Sequence, residues 1–309
     1  MNRVATFGNY QSALLDLMKA QTRAADAQER VSTQKVATDL TGFGRQSETL
    51  TALKGTQSRI QGLIDTGAAV SARLTTQDLA MGQISDAISG IRAALGGAIA
   101  TDSAGSLMLD LEGQFQAARG GLNMRHQGSY LFAGASTSTA PVDATNLSEL
   151  LAAPDVPSLF KNDTLKTASR VAEGTTLETG FLADELGTDV MTILRDIQSF
   201  HTTPGSGPLT GRLSEPQKAF LSVQLARLEQ AGTAVVDKMA KTGSLAKQVE
   251  NITTGHEAQK SALDQLLAGR TDADMAAAIT DLQMSQVAIQ ASAQVISQLR
   301  QVSLLNYLS

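Results

Sequence analysis

The chain has 309 residues, a formal net charge of −5, 42% hydrophobic residues, 4% aromatics, no Trp and no Cys. The acidic balance gives no basic field to recommend nucleic acid or an anionic membrane as a partner. The missing cysteines exclude disulfides and thiolate metal sites, and they suit a protein that leaves the cell.

A chain crowded with Ala, Gln, Ser and Leu but poor in aromatics is better material for long, closely packed helices than for a compact globular core. MNRVATFGNYQS lacks the charged region, apolar run and small-residue cleavage site of a secretory signal, so any export is expected to use another route. Tyr10, Leu14, Leu17, Ala24 and Val31 then form a narrow apolar stripe, read as a first helix. GFGRQS, 42–47, begins like a dinucleotide loop but lacks the third Gly and a preceding strand. It reads as a turn before the next helix.

Counting by sevens from Leu53 gives Leu53, Ile60, Gly67, Leu74, Met81, Ile88 and Leu95, with Thr56, Leu63, Val70, Gln77, Ile84, Ile91 and Ala98 three residues on. Eleven of these fourteen are apolar, which predicts a coiled-coil helix over 47–100, roughly 80 Å long at 1.5 Å per residue. A second helix is expected over 107–124, with Leu107, Leu111, Phe115, Ala118 and Leu122 on one face.

The pattern then fails. Residues 134–164 are rich in Ser, Thr, Pro and Asp, and 165–187 read as short strands around turns before a helix start near Thr188. HTTPGSGPLTG, 201–211, reads as a loop. From about Glu215 to Leu267 the seven-residue spacing returns at Leu221, Leu228, Val235, Val249 and Leu263, with Thr242 and His256 breaking it. Pro216 suits the first turn of that helix.

At TDAD, Thr271 is the expected cap of a last helix, with Asp274 completing a capping box. Met275, Leu282, Ile289 and Ile296 recur every seven residues, and Val287, Ala291, Val295 and Val302 form a second stripe. Residues 282–299 carry no charge but include eight Gln or Ser, too many for a bilayer. The chain ends on the apolar VSLLNYLS, which is expected to dock into its own core or against another chain.

No catalytic constellation is visible. His126, His201 and His256 are far apart, with no HExxH pairing and a packing role as the default. PGSGPLTG lacks the Lys–Ser/Thr of a phosphate loop, and GxSxG is absent. The expectation is a protein that is not an enzyme, with no cofactor and no metal.

Several segments resemble the flagellin and hook-associated protein superfamily. QERVSTQKVATD, 28–39, is similar to the family's "LSTGKRVN…D" segment. MAKTGSLAKQVEN, 239–251, resembles "vGARxNRLE", and the stretch from Ala273 to the end is similar to the C-terminal helix with its "SLLdYL" finish. GSYLFAGASTSTAPV, 128–142, resembles the "YLFxG…tP" stretch of the family's hook–filament junction members. The likeness covers roughly 1–140 and 186–309. Two departures stand out: Gln34 occupies a usual Gly position, and the acidic pair expected near 39–42 is reduced to Asp39 before TGFG.

The resemblance implies a mainly α fold, an elongated antiparallel coiled-coil helical bundle formed by the N- and C-terminal segments with a small β-containing or irregular middle domain. The corresponding divisions are a core helix and linker at 1–45, rod halves at 46–136 and 188–270, an outer insertion at 137–187, and a C-terminal core helix at 271–309. It implies assembly contacts at Tyr10, Leu14, Leu17, Met275, Leu282, Ile289, Ile296, Leu304, Leu305, Tyr307 and Leu308. Expected partners are further copies of the chain in a ring or helical layer, a neighbouring hook-associated junction protein, flagellin and a flagellar export chaperone. Neither nucleic acid nor membrane is expected. The expected place is the extracellular flagellum, reached through the flagellar type III apparatus without a cleaved signal. A filament-forming flagellin is the alternative within the family; a coiled-coil scaffold or secreted signalling ligand is the alternative outside it.

Overall fold

The computed structural model describes residues 2–308, with side chains described for 8–300. The fold is mainly α. Among the described residues it comprises α1 (Asn2–Thr33), α2 (Ser47–Ala100), α3 (Leu107–Leu122), α4 (Leu147–Ala152), α5 (Ala183–Thr202), α6 (Glu215–Thr271) and α7 (Met275–Leu308). The strands are two short antiparallel hairpins, β1 (Arg125–His126) with β2 (Ser129–Tyr130) and β3 (Ala168–Ala172) with β4 (Thr175–Glu178). Contacts divide the chain into two compact units, 1–59 with 258–309, and 60–257.

In the 60–257 unit the seven-residue pattern of α2 becomes its buried seam. Every predicted seam position from Gly67 to Ala98 is buried, including Gln77. On α6, Leu221, Leu228, Val235 and Val249 are buried, and so are Thr242 and His256. The two polar residues expected to break the repeat therefore keep it in position. Each finds a local partner: Thr242 Oγ1 donates to Lys238 O at 3.0 Å, and His256 Nε2 donates to Val171 O at 3.0 Å. A Cβ on Gly67 would meet Thr253, Thr242 lies against Met81, Gly232 faces Ile88, and Gly96 faces Leu225. One number rises as the other falls, so these helices run antiparallel.

The predicted face of α3, Leu107 to Leu122, is buried as a whole. Gly121 lets it approach α2 closely, because a Cβ there would stand 2.9 Å from Ala80 O and 2.7 Å from Ile84 Cγ1. Helix α5 begins at Ala183, not near Thr188. Ala183 N donates to Phe132 O at 3.0 Å, a partner 51 residues away in sequence, and Ala183, Leu186 and Gly187 are already buried.

The middle segment closes no separate core. Val142, Leu147, Leu150, Val156 and Leu159 enter the same apolar cluster as α2, α3, α5 and α6. Asn123 brackets Val142 with two 2.8 Å hydrogen bonds, and Asn146 caps α4 through Glu149 N. The β3–β4 hairpin lays Val171 and Leu177 on Val70, Leu74 and Val249.

In the other unit α1 and α7 pair along their lengths. Helix α6 continues through Thr271, whose hydroxyl donates back to Leu267 O. The α7 cap is therefore Asp274 alone, which accepts from Ala276 N and Ala277 N at 2.9 and 3.1 Å. Thr271 does not cap it.

Candidate assembly surface

The α1–α7 pair is built on a spacing of three and four residues. On α1, Tyr10, Leu17, Ala24 and Val31 are half-buried, while Ala20 and Ala27 are fully covered. On α7, Met275, Leu282, Ile289 and Ile296 are half-buried, and Ala278 and Ser285 are covered. The structure thus brings Tyr10 and Leu17 together with the four-residue α7 stripe at one seam. Arg30 meets Asp281 at 3.6 Å, near the C-terminal end of α1 and the N-terminal end of α7, as an antiparallel pair requires.

Leu14 is not in that seam; it is 41% exposed. The side chains of Leu304, Leu305, Tyr307 and Leu308 lie outside the described residues. The second α7 stripe is open as far as it is described: Val287 is 64% exposed, Ala291 and Val295 are also exposed, and the Val302 side chain lies outside the described residues. Sequence reading missed Leu15, Met18, Ile279 and Met284, which extend this apolar exposure on both helices. The signal was available at Leu14, Leu15 and Met18, one turn of α1 beside the seam.

Between the helices runs a groove of about 760 Å³, lined by Lys19, Ala20, Arg23, Ser285, Ala288 and Ser292 among others. Small residues share this lining with charges of both signs, Lys19, Arg23 and Arg30 against Asp16 and Asp281.

The linkers that carry the pair are tied to each other. Val36 N donates to Thr271 O at 2.8 Å, Ala273 N donates to Gln34 O at 3.0 Å, and Lys35 Nζ pairs with Asp272. The Lys35 ammonium holds the Asp272 carboxyl below the ordinary aspartate range. Gln34 turns the chain out of α1 with φ at 58°, a left-handed conformation that explains why Gly is expected there. Asp39 supports the next turn by accepting from Thr41 Oγ1 and Gly42 N at 2.6 and 2.9 Å, which lowers its pKa.

The YLFAG stretch lies in the other unit, at the centre of a knot. Leu131, Phe132 and Ala133 are buried. Their carbonyls accept from Arg73 Nη2, Ala183 N and Asp163 N respectively. Each histidine has a packing partner: Thr76 for His126, Leu209 N for His201 and Val171 O for His256. No group of three metal-ligating side chains occurs among the described residues. Among them, too, no helix is long and apolar enough to cross a membrane.

No curated protein sequence matches the chain. Residues 225–308 match the family model described as the bacterial flagellin C-terminal helical region. Among solved structures, one described as a flagellar hook-associated protein from Vibrio parahaemolyticus is similar at a TM-score of 0.61 and 17% identity, covering 76% of this chain and 99% of that one. Bacillus cereus FlgL is similar at 0.56 and Xanthomonas campestris FlgL at 0.55, each 13% identical and covering 70% of this chain and 99% of that one. At these identities the structural likeness is one of fold. The sequence match is thus to a flagellin-type C-terminal helical region, confined to α6 and α7. These three solved structures are described as flagellar hook-associated proteins or FlgL, and this chain shares their fold.

Proposed function

We propose that this chain is a non-catalytic structural subunit of the bacterial flagellum that joins hook to filament, in the manner of hook-associated protein 3. The observation that carries the reading is apolar exposure on both helices of the α1–α7 pair, at Leu15 and Met18 on α1 and at Met284, Val287 and Val295 on α7. From Met275 to the end only Asp281 and Arg300 are charged. A helix pair with large apolar side chains exposed on both members is suited to burial among neighbours, each covered side chain contributing about 1.5–3 kcal/mol. Further copies of the chain would form a ring or helical layer. A neighbouring junction protein and flagellin would stand on either side, and an export chaperone would cover the face beforehand. Passage through the type III apparatus to the cell exterior belongs to the same proposal.

The junction role, as opposed to the filament role, is supported by the YLFAG resemblance and the likeness to FlgL chains. Immunogold label confined to the hook–filament boundary is the expected result. Purified protein that polymerises alone into micrometre filaments would favour a flagellin instead. Retention in the cytoplasm with the export apparatus intact would sink the flagellar reading and leave a coiled-coil scaffold.

A further inference from the structure

The apolar interior of the 60–257 unit is divided. One cluster includes Ala80 and Met81 on α2, Val235 on α6 with Met239 packed against it, and Phe181 after the hairpin. The other includes Val70 and Leu74 on α2, Val249 on α6 with Leu245 against it, and Val171 with Leu177 on the hairpin. Between the two, α2 places Gln77, α6 places Thr242, and the strand leaving the hairpin places Thr179. These are 0%, 2% and 0% exposed. Three segments distant in sequence therefore bring a polar side chain to one level of the core.

Thr242 is satisfied within its own helix and lies 3.8 Å from Met81 Sδ. Gln77 Nε2 and Oε1 and Thr179 Oγ1 are buried with no protein partner, and so is Nε of Arg73, one turn earlier on α2. Arg73 is already tied to this level. Its Nη2 donates to Leu131 O and to Thr167 Oγ1, both at 3.1 Å, while Thr167 O accepts from Thr179 N at 2.9 Å. The guanidinium and Thr179 thus share Thr167 as a neighbour.

The unpartnered atoms are of both kinds: Arg73 Nε–H and the Gln77 amide NH₂ donate, Gln77 Oε1 accepts, and the Thr179 hydroxyl does either. An anion would face Gln77 Oε1 unfavourably, and an apolar group would satisfy none of them. A water molecule accepts and donates at once, and two to four such groups are what an internal water needs. We propose that Arg73, Gln77 and Thr179 hold ordered internal water that ties the base of the β3–β4 hairpin to α2.

In the unaltered protein, rotating-frame Overhauser measurements should give cross-peaks between the Gln77 side-chain amide and long-lived water. An amide with no such cross-peak overturns the proposal. The second measurement is a cycle of near-isosteric variants, Gln77→Met and Thr179→Val. Each single variant should lower the melting temperature, because it leaves the remaining polar side chain with a poorly held water or none. The double variant should recover part of that loss, since of the three unpartnered side chains only Arg73 then remains. Strictly additive losses, or a melting temperature raised by either single variant, would mean that the two side chains share no water.

Discussion

Replacing Gln34 by Gly should stabilise the turn that ends α1. Gln34 holds φ at 58°, its N–H donates to Arg30 O at 2.9 Å, and its carbonyl accepts from Ala273 N at 3.0 Å. The left-handed region costs an L-residue roughly 1–2 kcal/mol. Glycine gives back about 0.5–1 kcal/mol of that gain through its greater freedom in the unfolded chain. The Gln34 side chain is exposed and makes no hydrogen bond, so its removal loses little else. The net gain is about 0.5–1 kcal/mol, or roughly a two- to fivefold slower opening of the local structure. Amide hydrogen exchange at Val36 and Ala273, which bond across the two linkers, reads this directly. Gln34→Val should move exchange the other way, because a β-branched side chain tolerates this conformation worst. If Gly leaves exchange unchanged while Val is tolerated, the residue is not held left-handed and the reasoning fails.

Gly121→Val should destabilise the α2–α3 contact by about 1–3 kcal/mol, read in urea unfolding, since its Cβ would stand 2.9 Å from Ala80 O, which cannot yield as a side chain could. Asp102, with Lys218 Nζ at 2.7 Å and Arg212 Nε at 2.8 Å, has its carboxyl held below the ordinary range first by Lys218 and then by Arg212. Its contribution to stability is therefore complete above the unfolded-state pKa and is lost as pH falls through the lower folded one; Asp102→Asn should flatten that acid limb of the melting curve. Met284→Asp with Val287→Asp should leave helix content and melting of the isolated protein unchanged, because both side chains are exposed, yet abolish incorporation into the axial structure, scored by filament counts and by the variant's presence in the medium.

Helix α2 was legible to the residue, Ser47 to Ala100, because a seven-residue apolar repeat this long admits few other folds. Thr242 and His256 show where such reading stops. Counted by residue type they interrupt the repeat, but seam position is fixed by helical geometry. A seam tolerates a polar side chain that finds a hydrogen-bond partner, as these two do with Lys238 O and Val171 O. The start of α5 was missed for a related reason. Its first amide is paired with Phe132 O, across a stretch of chain that no local signal measures.

The YLFAG stretch separates what the sequence says about fold from what it says about function. Its Leu, Phe and Ala are buried, and their carbonyls bind Arg73, Ala183 and Asp163. Its Gly134 has φ at 64°, and a Cβ there would lie 2.6 Å from Asp163 O. Every letter of the motif but Tyr is thus demanded by the interior of this chain. The motif reports how α2, α5 and the loop at Asp163 are held together, so it supports the junction role only through likeness to chains with the same interior, not through contact with a neighbour. Discrimination between partners requires side chains that reach them. In the proposed assembly those are the exposed residues of the α1–α7 pair, Met18 and Val287 among them, with Lys19 and Arg23 in the lining of the groove. Val287 belongs to a stripe that spacing marks, but Met18, Lys19 and Arg23 stand exposed where no repeat or cap marks them, and so the surface proposed to meet other subunits was only partly legible in the sequence.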